Sequence, residues 1–229
     1  MMLIMEKDVD PWPLRHLVLR TPRLELRPDD DEGLLELVEV TYAGIHDPGW
    51  MPFKEPWTEA PRGELGRNTM RYYWSQRASL TASQWVVNFL VRLDGRVIGN
   101  QGISGRDFAI TREVRTGSWI GKAFQGRGIG TEMRAAVLQF AFDHLGAITA
   151  RSDAWLDNAP SLGVSRRLGY EPDGVGFLVR GGARQTMQRL LVTAERFARY
   201  RPNWTVVVEG LTGECLELFG LVGRSARSD

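Results

Sequence analysis

The sequence carries a single cysteine, Cys215, among 229 residues. A lone thiol excludes an intramolecular disulfide framework and a cysteine-rich zinc site. Histidine is scarce as well: His16, His46 and His144 lie too far apart in sequence for a local metal motif, so no metal is expected. Neither sign of charge is in excess, since 29 Lys and Arg against 28 Asp and Glu leave a formal +1. Nucleic-acid binding would show a strong basic surplus, so that partner class is disfavoured. No stretch approaches ~18 uninterrupted apolar residues, which argues against a transmembrane helix and a membrane partner. The opening segment from Met1 to Pro13 holds Glu6, Asp8 and Asp10. It lacks a long apolar run and does not read as a signal peptide, so the cytoplasm is the expected location. There is no internal repeat and no low-complexity tract.

What remains is an ordinary globular composition, 43% hydrophobic and 25% charged, of a length that favours one domain. The reading divides the chain into an N-terminal arm (1–20), a main domain (21–192) and a C-terminal extension (193–229). Leu24 and Leu26 alternate with polar residues, the pattern of a half-buried strand stopped by Pro28. Asp29 to Asp31 supply a cap and a negative first turn for a helix reaching about Ile45. The stretch from His46 to Pro61 contains Pro48, Pro52, Pro56 and Pro61, which forbid a continuous helix. Its Trp50, Met51, Phe53 and Trp57 are too apolar for a solvated loop, so it is expected to be a packed connector or a pocket wall. A second helix spans 62–77. Asp94-Gly95 between two apolar runs predicts a hairpin.

A strand from Val114 to Gly121 comes next. Ile129, Met133, Val137, Phe140, Ala141 and Leu145 share one face of a helix over 129–145. A strand over 148–155, a short helix over 160–168 and a strand pair (176–180 and 185–192) complete the main domain. The order indicates a mixed α/β (α+β) layer domain. A further strand is expected at 205–208.

The decisive segment runs from Trp119 to Met133, where a strand enters a glycine-rich turn that opens an amphipathic helix. A helix N-terminus presents unpaired N–H groups and partial positive charge, and so attracts phosphate. Gly126, Gly128 and Gly130 leave those groups bare, and Arg127 can add a charged contact. A plain strand-to-helix turn rich in glycine would look similar. Two nucleotide loops fit poorly: the Gly-x-x-x-x-Gly-Lys-Ser/Thr loop is absent, and Thr131 breaks a Gly-x-Gly-x-x-Gly fingerprint.

Gln125-Gly126-Arg127-Gly128-Ile129-Gly130-Thr131 resembles the Gln/Arg-x-x-Gly-x-Gly/Ala pyrophosphate loop of the GCN5-related N-acetyltransferase (GNAT) superfamily. A second element, Asp157-Asn158-Ala159-Pro160-Ser161 followed by Ser165 to Tyr170, resembles the Asn-x-x-Ser…Gly-Phe/Tyr signature of the ribosomal-protein N-terminal acetyltransferase (RimJ/RimL-like) branch. His46-Asp47-Pro48, Met51-Pro52-Phe53, Pro56-Trp57-Thr58 and Gly117-Ser118-Trp119 are similar to actinobacterial members, including mycobacterial enzymes that use succinyl-CoA. The resemblance implies the GNAT fold, a central, mostly antiparallel twisted sheet splayed at the CoA site and flanked by helices.

It also implies an N-acyltransferase that uses acetyl-CoA or succinyl-CoA as co-substrate. The acceptor would be a primary amine: a protein N-terminus, a lysine or a small molecule. By the same resemblance, Gln125 to Thr131 would hold the diphosphate and Asn158 the pantetheine arm, while backbone N–H near Trp119 or Ile120 would polarise the thioester carbonyl. Ser161 would protonate the leaving thiolate; otherwise Asn158 and Ser161 simply cap a helix. Ser165 stands where many relatives carry a tyrosine acid. His46 is the candidate base, Glu113 a weaker one, and Glu132 is better explained by the helix dipole. Arg67, Arg71 and His46 are candidate partners for a succinyl carboxylate. A CoA-binding sensor or scaffold without turnover is the alternative, favoured by the missing tyrosine. A homo-oligomer stays open.

Overall fold

The Asp94-Gly95 pair adopts the turn its backbone preferences dictate. Both residues take positive φ, 50° and 80°, which matches the twist of the flanking strands. They join β3 (Gln84–Leu93) to β4 (Arg96–Arg106) at the centre of the sheet. The computed structural model describes residues 10–221; residues 1–9, including Glu6 and Asp8, and 222–229 lie outside the described residues.

Around that hairpin stand β1 (Val18–Arg20), β2 (Leu24–Pro28), β5 (Glu113–Ile120), β6 (Thr149–Trp155), β7 (Glu171–Arg180), β8 (Ala183–Thr193) and β9 (Val207–Glu209). They form one sheet in the order β7-β8-β6-β5-β4-β3-β2-β1-β9. Every neighbouring pair is antiparallel except β5 with β6. Helices flank the sheet, as expected: α1 (Asp31–Ala43), α2 (Arg62–Ala78), α3 (Phe108–Thr111), α4 (Ile129–Gln139), α5 (Ala159–Arg167), α6 (Ala194–Tyr200) and α7 (Gly213–Leu218). Asp30 caps α1 by accepting from the Gly33 N–H at 2.6 Å, as the acidic run before it predicts. The helix read over 129–145 is α4 continued by one π turn, Phe140–His144.

The arm expected over residues 1–20 is not loose in its second half. Leu14, Leu17 and Leu19 are buried in the main core, and β1 is hydrogen-bonded on both sides, to β2 and to β9. The C-terminal extension shares that core. Cys215 and Phe219 are buried, and the Phe219 ring meets Trp85 edge-on at 4.9 Å. Burial pushes the Cys215 thiol up to about 11, so it stays protonated and unreactive near neutrality.

Asp29, just before α1, is buried beside the Arg77 guanidinium, with one oxygen 2.9 Å from its Nε. Loss of water outweighs that cation and lifts the carboxyl from 3.8 to about 7. The folded protein therefore holds this proton over a pH range in which the unfolded chain has released it, and stability falls as pH rises through about 4 to 7. Asp29→Asn is expected to melt close to wild type at pH ~4 and above it at pH ~8. Thermal unfolding across pH checks this; a variant that loses ground with rising pH would show the Arg77 pair to dominate.

Candidate active site

The site begins with a fork in the sheet. β5 and β6 pair only from Glu113–Thr149 to Arg115–Arg151. Two hydroxyls close the apex, Thr116 Oγ1 donating to the Arg151 carbonyl at 3.4 Å and Ser152 Oγ to the Thr116 carbonyl at 3.3 Å. Beyond them the strands separate, each kept by its other neighbour: β5 stays paired with β4 as far as Ile120, and β6 with β8 as far as Trp155. The gap opens into a cavity of about 940 Å³ lined by Ser118, Ser152, Ala154, Asn158 and Ser161, with the glycine loop at one end.

Strand parity decides which amides face the gap. Gly121 N–H donates to Ile98 on β4, and the β4–β5 register is regular from Val114 to Ile120. Peptide groups alternate sides along a strand, so those of Trp119 and Gly117 also point to β4. Those of Ser118 and Ile120 point into the gap. The amide expected at Trp119 or Ile120 is therefore that of Ile120, joined by that of Ser118. The Trp119 indole packs away, donating to the Tyr73 hydroxyl at 3.3 Å and meeting Trp57 at 5.6 Å.

Beyond β5, one 3-10 turn (Lys122–Phe124) leads into the loop. Gly126 and Gly128 adopt φ of 75° and 77°, the left-handed conformation that glycine permits. Among the described residues, no protein oxygen accepts from the N–H of Gly126, Arg127, Gly128, Ile129 or Gly130. Alternating handedness gathers successive N–H groups into an anion-binding concavity at the start of α4. The buried Thr131 hydroxyl lines the cavity and has no protein partner.

The side chains divide differently from expectation. Ile129 is buried in the core, leaving only its amide for a ligand. The Arg127 side chain is exposed, lies 5.9 Å from the Phe124 ring and does not line the cavity. The Gln125 amide donates to the carbonyls of Ile45 and Ile120 at 2.7 and 3.1 Å, tying the loop to β5 and the connector.

The cation at this end of the cavity is Arg23, which the sequence reading missed. Glu132, only 8% exposed, holds it. Its carboxylate accepts from Arg23 Nε at 2.7 Å, from Arg23 N–H at 3.1 Å and from the Thr21 hydroxyl at 2.6 Å. Arg23 also donates to the Arg127 carbonyl at 3.1 Å. Glu132 thus ties the start of β2 to the loop in addition to meeting the helix dipole.

On the far wall, Asn158 caps α5 by accepting from Ser161 N–H at 3.1 Å, which leaves its amide NH₂ for a ligand. The Ser161 hydroxyl lines the cavity without a protein partner among the described residues. Ser165, expected among the catalytic candidates, is fully buried and off the cavity lining. Its hydroxyl donates to the Ser161 carbonyl and accepts from Arg134, each near 3 Å. One helical turn past Ser161, it faces inward, where α5 packs on α4.

The connector forms the remaining wall through Trp50, Pro52, Phe53 and Lys54. His46 lines the cavity, but both ring nitrogens are engaged, Nδ1 with the Asp47 carbonyl at 3.0 Å and Nε2 with the Thr58 hydroxyl at 2.7 Å. Nδ1 faces a carbonyl and so donates to it, and Nε2 shares its hydrogen bond with the Thr58 hydroxyl. Its observed contacts stitch the connector together. Glu113 pairs with Arg151 at 2.8 Å at the closed end of the fork. Arg67 and Arg71 are exposed on α2, away from the cavity. The lysine present is Lys54, paired with Asp153 of β6 at 2.9 Å.

A forked sheet with bare loop amides at one end makes a cleft with the shape for a long ligand and an anion-binding concavity beside it. The chain belongs to the acetyltransferase (GNAT) family, whose domain model matches residues 23–171. Its fold is shared by RimJ of Mycobacterium smegmatis, solved in complex with CoA-disulfide (21% identity, 82% of this chain and 94% of that one, TM-score 0.68). It is also shared by RimL, a ribosomal L7/L12 alpha-N-protein acetyltransferase solved with coenzyme A (17%, 76% and 95%, TM-score 0.60). A GCN5-related N-acetyltransferase from Brucella melitensis is similar too (19%, 80% and 81%, TM-score 0.65). Among the described residues no helix is long and apolar enough to cross a membrane.

Proposed function

We propose that this chain transfers a short acyl group, acetyl or succinyl, from acyl-CoA to a primary amine by direct attack in a ternary complex. The observation that carries the proposal is two sets of unpaired amides on one cavity, those of Ser118 and Ile120 facing the gap and those of Gly126 to Gly130 in the loop. In this reading the diphosphate sits on the loop beside Arg23 and Thr131, and the pantetheine arm lies along β5 as an added strand would. Asn158 bonds the arm, and the gap-facing amides polarise the thioester carbonyl. Ser161 gives a proton to the departing thiolate.

The amine enters past Trp50 and Phe53, where an ammonium group would have to share the Asp153 carboxylate with Lys54 and Arg115. Its acceptor class is a protein N-terminus, a lysine or a small molecule. A succinyl carboxylate would be met by Lys54, drawn from Asp153. This chemistry suits the cytoplasm, where acyl-CoA is available.

Release of free thiol from acetyl-CoA and succinyl-CoA with a panel of amines tests the proposal; negligible rates with both donors would reject it. Ser161→Ala is expected to lower kcat about 10²-fold, the lower end of general-acid effects, with the KM for donor little changed. Full turnover at saturating donor would remove Ser161 from the mechanism. The engaged nitrogens of His46 favour one competing reading, a CoA-binding sensor without turnover. Thermal stabilisation by CoA without acyl transfer to any amine would establish it.

A further inference from the structure

We propose that Arg134 is a catalytic cation whose guanidinium receives the thiolate of CoA as the carbon–sulfur bond breaks. The proposal rests on the acyl-CoA reading above and adds a group that the loop and cap motifs do not contain.

Arg134 lies one turn into α4 and is 4% exposed, yet it lines the cavity. Of its five N–H donors, one meets the Ser165 hydroxyl at 3.0 Å and another the Ser118 hydroxyl at 3.1 Å. Nε has no partner. Both partners are neutral, and among the described residues no carboxylate lies within ion-pair distance. The charged and titratable groups nearby are committed elsewhere. Asp153 of β6 pairs with Lys54 at 2.9 Å and Arg115 at 3.4 Å. Glu132, on the same helix, pairs with Arg23 at 2.6 Å, and the Tyr170 hydroxyl meets Thr116 at 3.1 Å. Arg167 of α5 lines the cavity as a further cation. A buried cation without a counter-ion is strongly unfavourable unless an anion arrives. Burial also draws the guanidinium below its ordinary pKa, but arginine remains charged under any working condition.

The position of Arg134 selects the anion. Ser118 lies roughly 7 Å further from the glycine loop than Ile120, at the rise of a strand. A ligand anchored on the loop and running back along β5 brings its sulfur end toward Ser118, and so toward Arg134. The sulfur is the one atom of that ligand that turns from neutral to anionic during the reaction. An acyl carboxylate would extend beyond it, toward Trp50 and Lys54. When the amine lone pair forms the C–N bond, the C–S bond breaks and its electron pair goes to sulfur. The nitrogen's surplus proton leaves to water, and Arg134 keeps its protons and donates hydrogen bonds. The thiolate afterwards takes a proton from water, directly or relayed through the Ser161 hydroxyl, which regains from water the proton it gives. The buried Ser165 acts here as a positioning residue, holding one arm of the guanidinium.

The test compares CoA with desulfo-CoA, in which hydrogen replaces the thiol, by calorimetric titration across pH. The ultraviolet absorbance of the thiolate follows ionisation of the bound thiol. In wild type, the bound thiol is expected to ionise at lower pH than in free CoA, and CoA to bind roughly 10–10²-fold tighter than desulfo-CoA at alkaline pH, as for hydrogen bonds to a charged group. In Arg134→Met that ratio should fall toward one, and Arg134→Lys should keep part of it. Methionine in place of an unpaired buried cation is compatible with the fold, and the wild-type titration needs no variant. A bound thiol that titrates at or above the pH of free CoA overturns the proposal, as does a ratio unchanged in Arg134→Met. A loss confined to succinyl transfer, with the ratio intact, overturns it too and reassigns Arg134 to the acyl carboxylate. If neither ligand binds wild type, the acyl-CoA reading itself falls.

Discussion

Gly128→Val should lower kcat/KM for the acyl donor by about 10²–10³-fold. Gly128 sits at φ 77° with no side-chain cap on α4. A β-branched residue is strained there by ~1–2 kcal/mol, and a shift to a permitted conformation turns the neighbouring N–H groups off their common focus. Hydrogen bonds to a charged group contribute ~1.5–3 kcal/mol each. Loss of one or two of them therefore corresponds to the predicted range, given tenfold per 1.36 kcal/mol. The defect should appear in donor binding, so calorimetry with CoA and with adenosine diphosphate should show both ligands weakened. Unchanged affinity for both would mean that the diphosphate rests elsewhere.

Ala154→Phe should abolish measurable binding of acyl-CoA while sparing adenosine diphosphate. Ala154 is buried and lines the gap between β5 and β6. A ring added there, level with Ser118, fills the slot that the pantetheine arm needs, whereas the loop lies further on, past Ile120 and the turn that follows β5. Loss of turnover by at least about 10²-fold follows if the arm is displaced, since positioning of reactants supplies much of the catalytic effect. The two variants separate the two halves of the site: one loses both ligands, the other only the long one. A protein with Ala154→Phe that still turns over acyl-CoA at the wild-type rate would place the arm outside the fork.

Features set by short-range chemistry were legible in the sequence. Asp94-Gly95 needs only its own backbone preference to make a hairpin, and Asp30 needs only a neighbouring N–H to cap α1. The glycine loop is equally local: its positive φ angles and bare amides follow from residues 126–130 alone. Features that depend on distant partners were not legible. β1 is three residues long, too short to show alternation, and it exists because it pairs with β2 on one side and across the length of the chain with β9 on the other. The strand expected at 205–208 forms as β9, shifted to Val207–Glu209. Likewise Arg23 is unremarkable until Glu132 draws it to the loop.

The same contrast runs through the site. Whether the Trp119 or the Ile120 amide faces the gap depends on which strand Gly121 bonds, and that register is invisible in one segment. Ser161 and Ser165 read alike as hydroxyls on one face of a short helix, yet one turn of advance along its axis takes the chain from the cavity at Ser161 to the buried contact with Arg134 at Ser165. Arg134 looked like an ordinary helix residue beside Met133. Only the packing of α4 against β5 and α5 shows it to be a buried cation with donors to spare.

A structure of the protein with acetyl-CoA bound tests the central claim most directly. The account predicts diphosphate oxygens within hydrogen-bonding distance of the N–H groups of Gly126 to Gly130, the pantetheine arm between β5 and β6, and the thioester beside Ser118. A ligand seated with its diphosphate away from residues 126–130, or with β5 and β6 closed against each other beneath it, would contradict the account.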